Sequence, residues 1–460
     1  MTAEQLAARL SDFAYRQPFR LLKGFAAAHL LYPIAEALER REVRGKIAAL
    51  RRHYALPAAE RRANATHQLV DLLRFAGAGV PYYRDLFSRL AFDPDKLADD
   101  PRRLEMLPLL TKDIIAEQGE RLLSRPLAET RHYACKTGGS TGRKTVIFYD
   151  QNAADHSSAV TAYGRERVGA VRSQPVLHFA ARFPDAPPAR WLDREAFKCL
   201  AMNRSNIFFD RLDGPALDAI WAVIRRRSPY LVHAHPSTLY ALALHIRDGG
   251  PLAGKPAFEV FESSGELLDA RQRRTIGEVF GCRVVDRYGL AEFGVIAYQF
   301  GGQEAGLDLL DSECWAENLA AEDGADGQRL VVTGFRNRLM PLIRYDTGDL
   351  ATVSASAGGP MLTGLVGRIH DIVEIGGVPY LTHHLQDVLD HRVAGIRDFQ
   401  FDLRTSPPTL RMVLEPGTDA DQVADSIGRL WPRAFALAFV TAEQMVRVGA
   451  HAKFRHVVSA

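Results

Sequence analysis

The chain has 460 residues, 47% of them hydrophobic and 25% charged, the balance of a folded globular protein with room for roughly two or three domains. Its formal charge of +3, with no long Lys/Arg block and no zinc-finger spacing, excludes nucleic-acid binding and leaves small or acidic ligands. Cys135, Cys199, Cys282 and Cys314 stand far apart without a Cys-x-x-Cys pair, so neither a structural zinc site nor a disulfide framework is expected, and a reducing cytoplasm is the expected home.

In chain order, residues 1 to 130 read as mostly helical, rich in Ala, Leu, Arg and Glu and broken at Gly79-Val80-Pro81 and Pro108. Glu4, Arg9 and Asp12 interrupt the early apolar residues, which argues against a signal peptide. The apolar piece Gly24 to Leu38 contains His29, Pro33 and Glu36 and falls short of the roughly 20 residues of a spanning helix, so integral membrane association is not expected. A packed helix is expected there; with Arg16, Arg20 and Lys23 beside it, lying on a membrane surface ranks second. Leu104 to Asp113 reads as an extended linker into a helix capped by Thr111.

The stretch Cys135 to Tyr149 packs three glycines, three hydroxyls and two adjacent cations between Thr137 and Lys144, then enters a β-branched and aromatic run. Glycines let backbone N–H groups turn toward a ligand and the other side chains add donors, so the composition suits a phosphate cradle as well as a surface turn. Downstream, helices over Ala153–Val171, from Pro215, over Ser237–Ile246 and over Asp269–Phe280 alternate with strands at Pro175–Ala180, Tyr230–His233, Phe258–Phe261 and Cys282–Val285. Such β-α-β repetition implies a largely parallel sheet with helices on both faces and ligands bound beyond the strands' carboxyl ends.

Three loops are expected at those ends: Glu262-Ser263-Ser264-Gly265-Glu266, Asp286 to Glu292, and Arg344 to Leu350. They combine glycine turns, carboxylates and aromatics, which can hold a base, ribose hydroxyls and Mg²⁺ beside the phosphates. Glu262 and Asp286 are expected to act as caps, and Asp346 to pair with Arg344. His233 and His235 follow a strand on the ligand side and could line a ligand pocket or hold a metal, although satisfied structural histidines are commoner. Beyond Gly367, a strand at Leu410–Leu414 and a helix at Ala420–Leu430 indicate a small α+β unit. The expected fold is α/β: a large domain of layered sheets and helices over 1–366, then a small α+β domain over 367–460.

These four stretches, in this order, resemble the signature motifs of the adenylate-forming superfamily, most of all its phenylacetate–CoA ligase and CapK-like branch. The resemblance spans roughly residues 80 to 460 and is specific as an ordered set. It implies that Thr137, Gly138, Gly139, Ser140, Thr141 and Gly142 hold the ATP phosphates, that Ser264, Gly265 and Glu266 form the adenine-side loop, and that Tyr288 and Gly289 bear on adenine. Glu292 would hold Mg²⁺, Asp349 and Arg368 would reach the ribose, and Lys453 would be the catalytic cation beside the α-phosphate. It further implies a mobile small domain that turns at the hinge Gly367-Arg368-Ile369-His370-Asp371, and transfer of an acyl group, with an aromatic acid as leading substrate class, from an adenylate to CoA or to the phosphopantetheine of a carrier protein. Two positions depart from the family pattern: Lys144 stands for a proline and His370 for an aspartate. A P-loop NTPase is excluded because Arg143 separates Gly142 from Lys144 and Thr137 occupies a required glycine position. A non-enzymatic nucleotide-binding protein is the alternative from another class.

Overall fold

The computed structural model describes residues 19–137, 145–181, 194–209, 214–248, 256–301, 306–320, 328–368, 372–375, 378–381, 385, 388–389, 392–448, 453–454 and 456–459. In the N-terminal layer the helix Ala58–Gly79 buries Leu69, Leu72, Leu73 and Ala76 at helical spacing against Pro81–Leu90 and against Leu339, Leu342, Ile343 and Tyr345. Each of these leucines contributes roughly 1.5–3 kcal/mol. Pro81 begins the second helix in its first turn, where a missing N–H costs nothing. The most N-terminal described helix, Phe19–Ala26, runs through a π turn into Tyr32–Leu38. It packs on one side only: Gly24 and Ala27 are buried, while Leu21, Leu22, Phe25, Leu30 and Leu38 face solvent. No described helix is long and apolar enough to cross a membrane.

The strands are β1 (His132–Thr137), β2 (Thr145–Asp150), β3 (Val176–Ala181), β4 (Arg204–Phe209), β5 (Leu231–Ala234), β6 (Val260–Ser263), β7 (Arg283–Leu290), β8 (Gly294–Tyr298), β9 (Leu307–Leu309), β10 (Cys314–Ala320), β11 (Gln328–Gly334), β12 (Tyr345–Ser356) and β13 (Gly359–Arg368). Among the described residues β1 and β2 form a hairpin, and the others form one sheet in the order β10-β11-β12-β13-β9-β8-β7-β6-β5-β3-β4. From β4 to β7 the pairing is parallel. Helices Gly214–Arg227, Pro236–Asp248 and Ala270–Phe280 cover one face of that half, and Val43–Ala55 and Gln151–Arg167 the other. Within β7 the pairing changes: Arg283 to Asp286 run parallel to β6, whereas Arg287 to Leu290 run antiparallel to β8. That change of direction opens the crevice where ligands of α/β sheets collect.

The C-terminal part continues with β14 (Ile372–Ile375), β15 (Val378–Leu381), β16 (Ile396–Asp402), β17 (Thr409–Leu414), β18 (Ala436–Phe439), β19 (Arg447–Val448), β20 (Lys453–Phe454) and β21 (Val457–Val458). A sheet in the order β18-β17-β16-β21 packs with the helix Ala420–Leu430 around Phe401, Leu410, Met412 and Val423. The Asp419 side chain caps that helix by accepting from the Asp421 N–H. Arg271, on Ala270–Phe280, ties this unit to the large sheet through the Ile396 carbonyl and Glu415, each at 2.9 Å.

The expected α/β architecture is observed, but the sheet expected to be largely parallel is parallel only from β4 to β7 and antiparallel across the rest, and three boundaries differ. The strand expected at Phe258–Phe261 lies two residues later, which places Glu262 and Ser263 inside the sheet. The strand expected to end at Val285 runs to Leu290 because β8 pairs with its second half. Tyr345 to Asp349 opens β12 rather than forming a loop, held by β11 on one side and β13 on the other.

Candidate active site

The antiparallel half brings two of the sequence motifs together as a reciprocal pair. The Tyr288 hydroxyl donates to Asp349 Oδ2 at 2.6 Å, and the Tyr345 hydroxyl donates to Glu292 Oε1 at 2.7 Å. Each motif thus supplies one tyrosine and one carboxylate, although Tyr288 and Asp349 lie 61 residues apart. All four side chains are buried. Burial, reinforced by the Asp349 carboxylate, pushes the Tyr288 phenol well above its ordinary pKa and keeps it a donor. Gly289 sits where a Cβ would come within 2.6 Å of the Gly294 carbonyl oxygen, so this turn requires a glycine. Gly348 has φ of +73°, and its N–H donates to Asp346 Oδ1, which sets the bulge that aims Asp349 inward.

The linker positions the second motif. Leu110 bridges Tyr345, with Leu110 N–H donating to the Arg344 carbonyl at 2.9 Å and Asp346 N–H to the Leu110 carbonyl at 3.1 Å. Thr111 caps the following helix by accepting from the Ile114 N–H, as expected. Arg344, at φ of +51°, turns to the carbonyls of Glu105 and Leu107 and to Glu317, so the expected Arg344–Asp346 pair is not formed. Asp346 pairs with Arg329 instead.

In the adenine-side loop Gly265 has φ of +85°, and a Cβ there would strike the His235 ring. The His235 Nδ1 bonds to the Ser264 carbonyl at 2.8 Å. Glu266 Oε2 accepts from the Ser237 N–H in the first turn of Pro236–Asp248, while Oε1 is buried without a partner among the described residues. The hairpin β1–β2 closes at the pair Thr137↔Thr145, on the near side of Glu292, whose charge helps burial raise the Cys135 thiol pKa. Gly138, Gly139, Ser140, Thr141, Gly142 and Lys144, between those strands, lie outside the described residues, as does His370. At Thr137, Arg368 and Lys453 the backbone alone is described: Arg368 ends β13 opposite Asp349, and Lys453 pairs with Val448.

The parallel half holds a site that motif reading missed. Asn206, His178, His233 and Glu262 occupy successive register positions across β4, β3, β5 and β6, so one polar row crosses a sheet that is usually apolar on both faces. The two imidazoles stack with centroids 5.0 Å apart. Glu262, fully buried, accepts from Arg165 at 2.7 Å and from the Tyr298 hydroxyl at 2.7 Å, and His233 Nδ1 lies 2.9 Å from it. Glu262 is therefore no cap: it centres a charge network, and the flanking guanidinium groups overcome burial and hold its pKa well below the carboxylate range. Asp286 does use its side chain locally, accepting from the Arg287 N–H, and burial raises it to about 6. Burial lowers His233 to about 3 and His178 to about 4, so both are neutral. Polar residues recurring inside short strands expected to be buried on both faces were the sequence signal for this row.

A cavity of about 570 Å³ runs from Ser264, Gly289 and Leu290 over His178, His233 and Arg287 toward the helix Tyr32–Leu38. Its lining takes residues from both halves of the sheet, Val176 and His233 from one and Gly289 and Val295 from the other. Among the described residues no cluster of three or more His, Cys, Asp or Glu could hold a metal, so the metal-binding alternative for His233 and His235 is not supported by the geometry.

No family model matches the chain. It is 26% identical to a phenylacetate-coenzyme A ligase of Thermus thermophilus over 360 residues, 73% of this chain and 76% of that protein. It is 23% identical to Protein CapK of Staphylococcus aureus over 249 residues, 54% of this chain and 53% of that protein. The crystal structure of a 2-hydroxyisobutyryl-CoA ligase in the postadenylation state, in complex with R3-HIB-AMP, has the same fold: TM-score 0.67 over 89% of this chain and 91% of that one, at 17% identity.

Proposed function

We propose that the chain, as a member of the adenylate-forming superfamily on its phenylacetate–CoA ligase-like branch, activates a carboxylic acid with ATP and passes the acyl group to coenzyme A. The observation that carries this reading is the double tyrosine–carboxylate pairing of Tyr288 with Asp349 and Tyr345 with Glu292. It holds the residues proposed as base platform, ribose acceptor and phosphate-side carboxylate in one hydrogen-bonded frame, and such preorganisation favours the reading.

In the first step an oxygen of the acid attacks the α-phosphorus of ATP, and the bond to pyrophosphate breaks. The hairpin closed by Thr137 and Thr145 receives the phosphates, with donors from Gly138, Gly139, Ser140, Thr141 and Gly142. Ser264, Gly265 and Glu266 border the adenine beside Tyr288 and Gly289; Asp349, with Arg368 opposite on β13, accepts from the ribose hydroxyls. Glu292 fits a Mg²⁺ ion: it is a single buried carboxylate with one oxygen oriented by Tyr345, and Mg²⁺ on nucleotides commonly takes one or two carboxylates plus phosphate oxygens. That ion would offset phosphate charge. Lys453 supplies a cation at the reacting carboxylate and α-phosphate once the unit beginning at residue 367 turns over the crevice. In the second step a thiol attacks the acyl carbonyl and AMP leaves. CoA is the preferred thiol; a carrier-protein phosphopantetheine presents the same arm, and a broad acid panel that includes aromatic acids defines the acyl group.

Incubation with ATP, magnesium, such a panel and either CoA or a phosphopantetheinylated carrier, read by mass spectrometry, tests the proposal. AMP and acyl-CoA forming together support it. ADP as the nucleotide product, or ATP binding without turnover of any acid, contradicts it.

A further inference from the structure

The polar row lies along the cavity that leads away from the nucleotide motifs, and its charges do not balance. Two largely buried guanidinium groups, of Arg165 and Arg287, share the single Glu262 carboxylate. Arg165 binds it through two nitrogens, at 3.1 and 2.7 Å, whereas Arg287 stands 3.6 Å away and donates instead to His233 Nε2 at 3.1 Å. His233 passes its Nδ1–H to Glu262, so it uses the neutral tautomer and adds no charge. A third guanidinium, of Arg204, borders the same cavity and donates outward to Glu195 at 2.6 Å. The Nε–H groups of both Arg204 and Arg287 are buried with no partner among the described residues. A buried surplus charge with unused donors is costly unless an anion completes it.

We infer that the acid activated here carries a second anionic group, as a short dicarboxylic acid does, and that Arg287 and Arg204 receive this group while the other carboxylate is adenylated. The inference rests on the ligase reading above and narrows its substrate class. Guanidinium groups suit a carboxylate because their N–H donors match its two oxygens. The cavity, at about 570 Å³, leaves ample room for such an acid beside Ser264 and Gly289. A purely apolar acid would leave both Nε–H donors and the surplus charge buried and unmet.

The test is pyrophosphate exchange into ATP by the full-length protein with acids matched in length: succinate against butyrate, glutarate against pentanoate, and phenylacetate as the aromatic member. The dicarboxylates should exceed their partners by about tenfold or more in kcat/KM, the size of a hydrogen bond to a charged group. Arg287→Met should abolish that preference and Arg287→Lys restore part of it. If Arg287→Met does not fold, Arg204→Met, at the cavity edge, should reduce the preference in a protein whose thermal melt is unchanged. Equal or better exchange with butyrate or phenylacetate, unaltered in these variants, overturns the inference and leaves the ligase reading standing. Failure of every acid to promote exchange overturns the ligase reading. In that case a succinate-dependent rise in Tm that Arg287→Met removes would still support the anion site, and its absence would overturn that too.

Discussion

In the antiparallel half of the sheet two buried carboxylates, Asp349 and Glu292, are each held by a neutral tyrosine hydroxyl; in the parallel half one buried carboxylate, Glu262, is held by two guanidinium groups and an imidazole. In the first arrangement the carboxylates meet neutral donors, and under the proposed function their negative charge serves ribose hydroxyls and a cation. The second consumes its negative charge internally and leaves positive charge over. One sheet thus carries the two arrangements on either side of the β7 direction change, and the cavity is lined by the basic groups of the second.

The contrast is broken most severely at Glu262. Glu262→Gln leaves Arg165 and Arg287 without a counter-charge and should destabilise the fold by about 3–5 kcal/mol, read as a lower Tm or urea midpoint. The matching change in the other half, Glu292→Ala, should lower the rate of adenylation by about a hundredfold with little change in Tm, since a tyrosine hydroxyl rather than a charge loses its partner. A Glu292→Ala protein with unimpaired exchange would remove that residue from the chemistry.

Acid distinguishes the halves as well. His156 and His233, lowered to about 3, and His178, lowered to about 4, are neutral in the fold but protonate near 6.5 in the unfolded chain. Below pH 6.5 the unfolded state therefore binds more protons, and each histidine withdraws about 1.4 kcal/mol of stability per pH unit until its folded pKa is reached. Asp286, raised to about 6, titrates in the opposite sense and offsets part of this. Tm at constant ionic strength should fall steadily from pH 6.5 to 4, and His233→Gln should flatten the slope; an unchanged slope would separate His233 from it. Smallest are Tyr288→Phe and Tyr345→Phe, each deleting one hydroxyl donor. Tyr288→Phe should raise KM for ATP by about tenfold or less, and Tyr345→Phe should reduce kcat within the same range.

The nucleotide half was legible because each of its motifs is contiguous: Tyr288 to Glu292 and Tyr345 to Asp349 carry their glycine, aromatic and carboxylate within five residues. What contiguity could not reveal was that the two interlock crosswise, or that both begin inside strands, since strand ends depend on neighbours such as β8 and β11. Helix Ala420–Leu430 matched its expected bounds because amphipathic spacing and the Asp419 cap are local. The polar row was illegible as a motif: its four residues come from four strands and meet only through parallel register. Arg329, the partner of Asp346, was missed for the same reason, since it reaches across a strand pair whereas Arg344 is turned away by its backbone.

The measurement that tests the central claim most directly is exchange of labelled pyrophosphate into ATP by the purified chain, with and without added carboxylic acid. Acid-dependent exchange that Glu292→Ala lowers by about a hundredfold is the predicted result. Failure of every acid, mono- or dicarboxylic, to promote exchange in a folded, ATP-binding protein would contradict it.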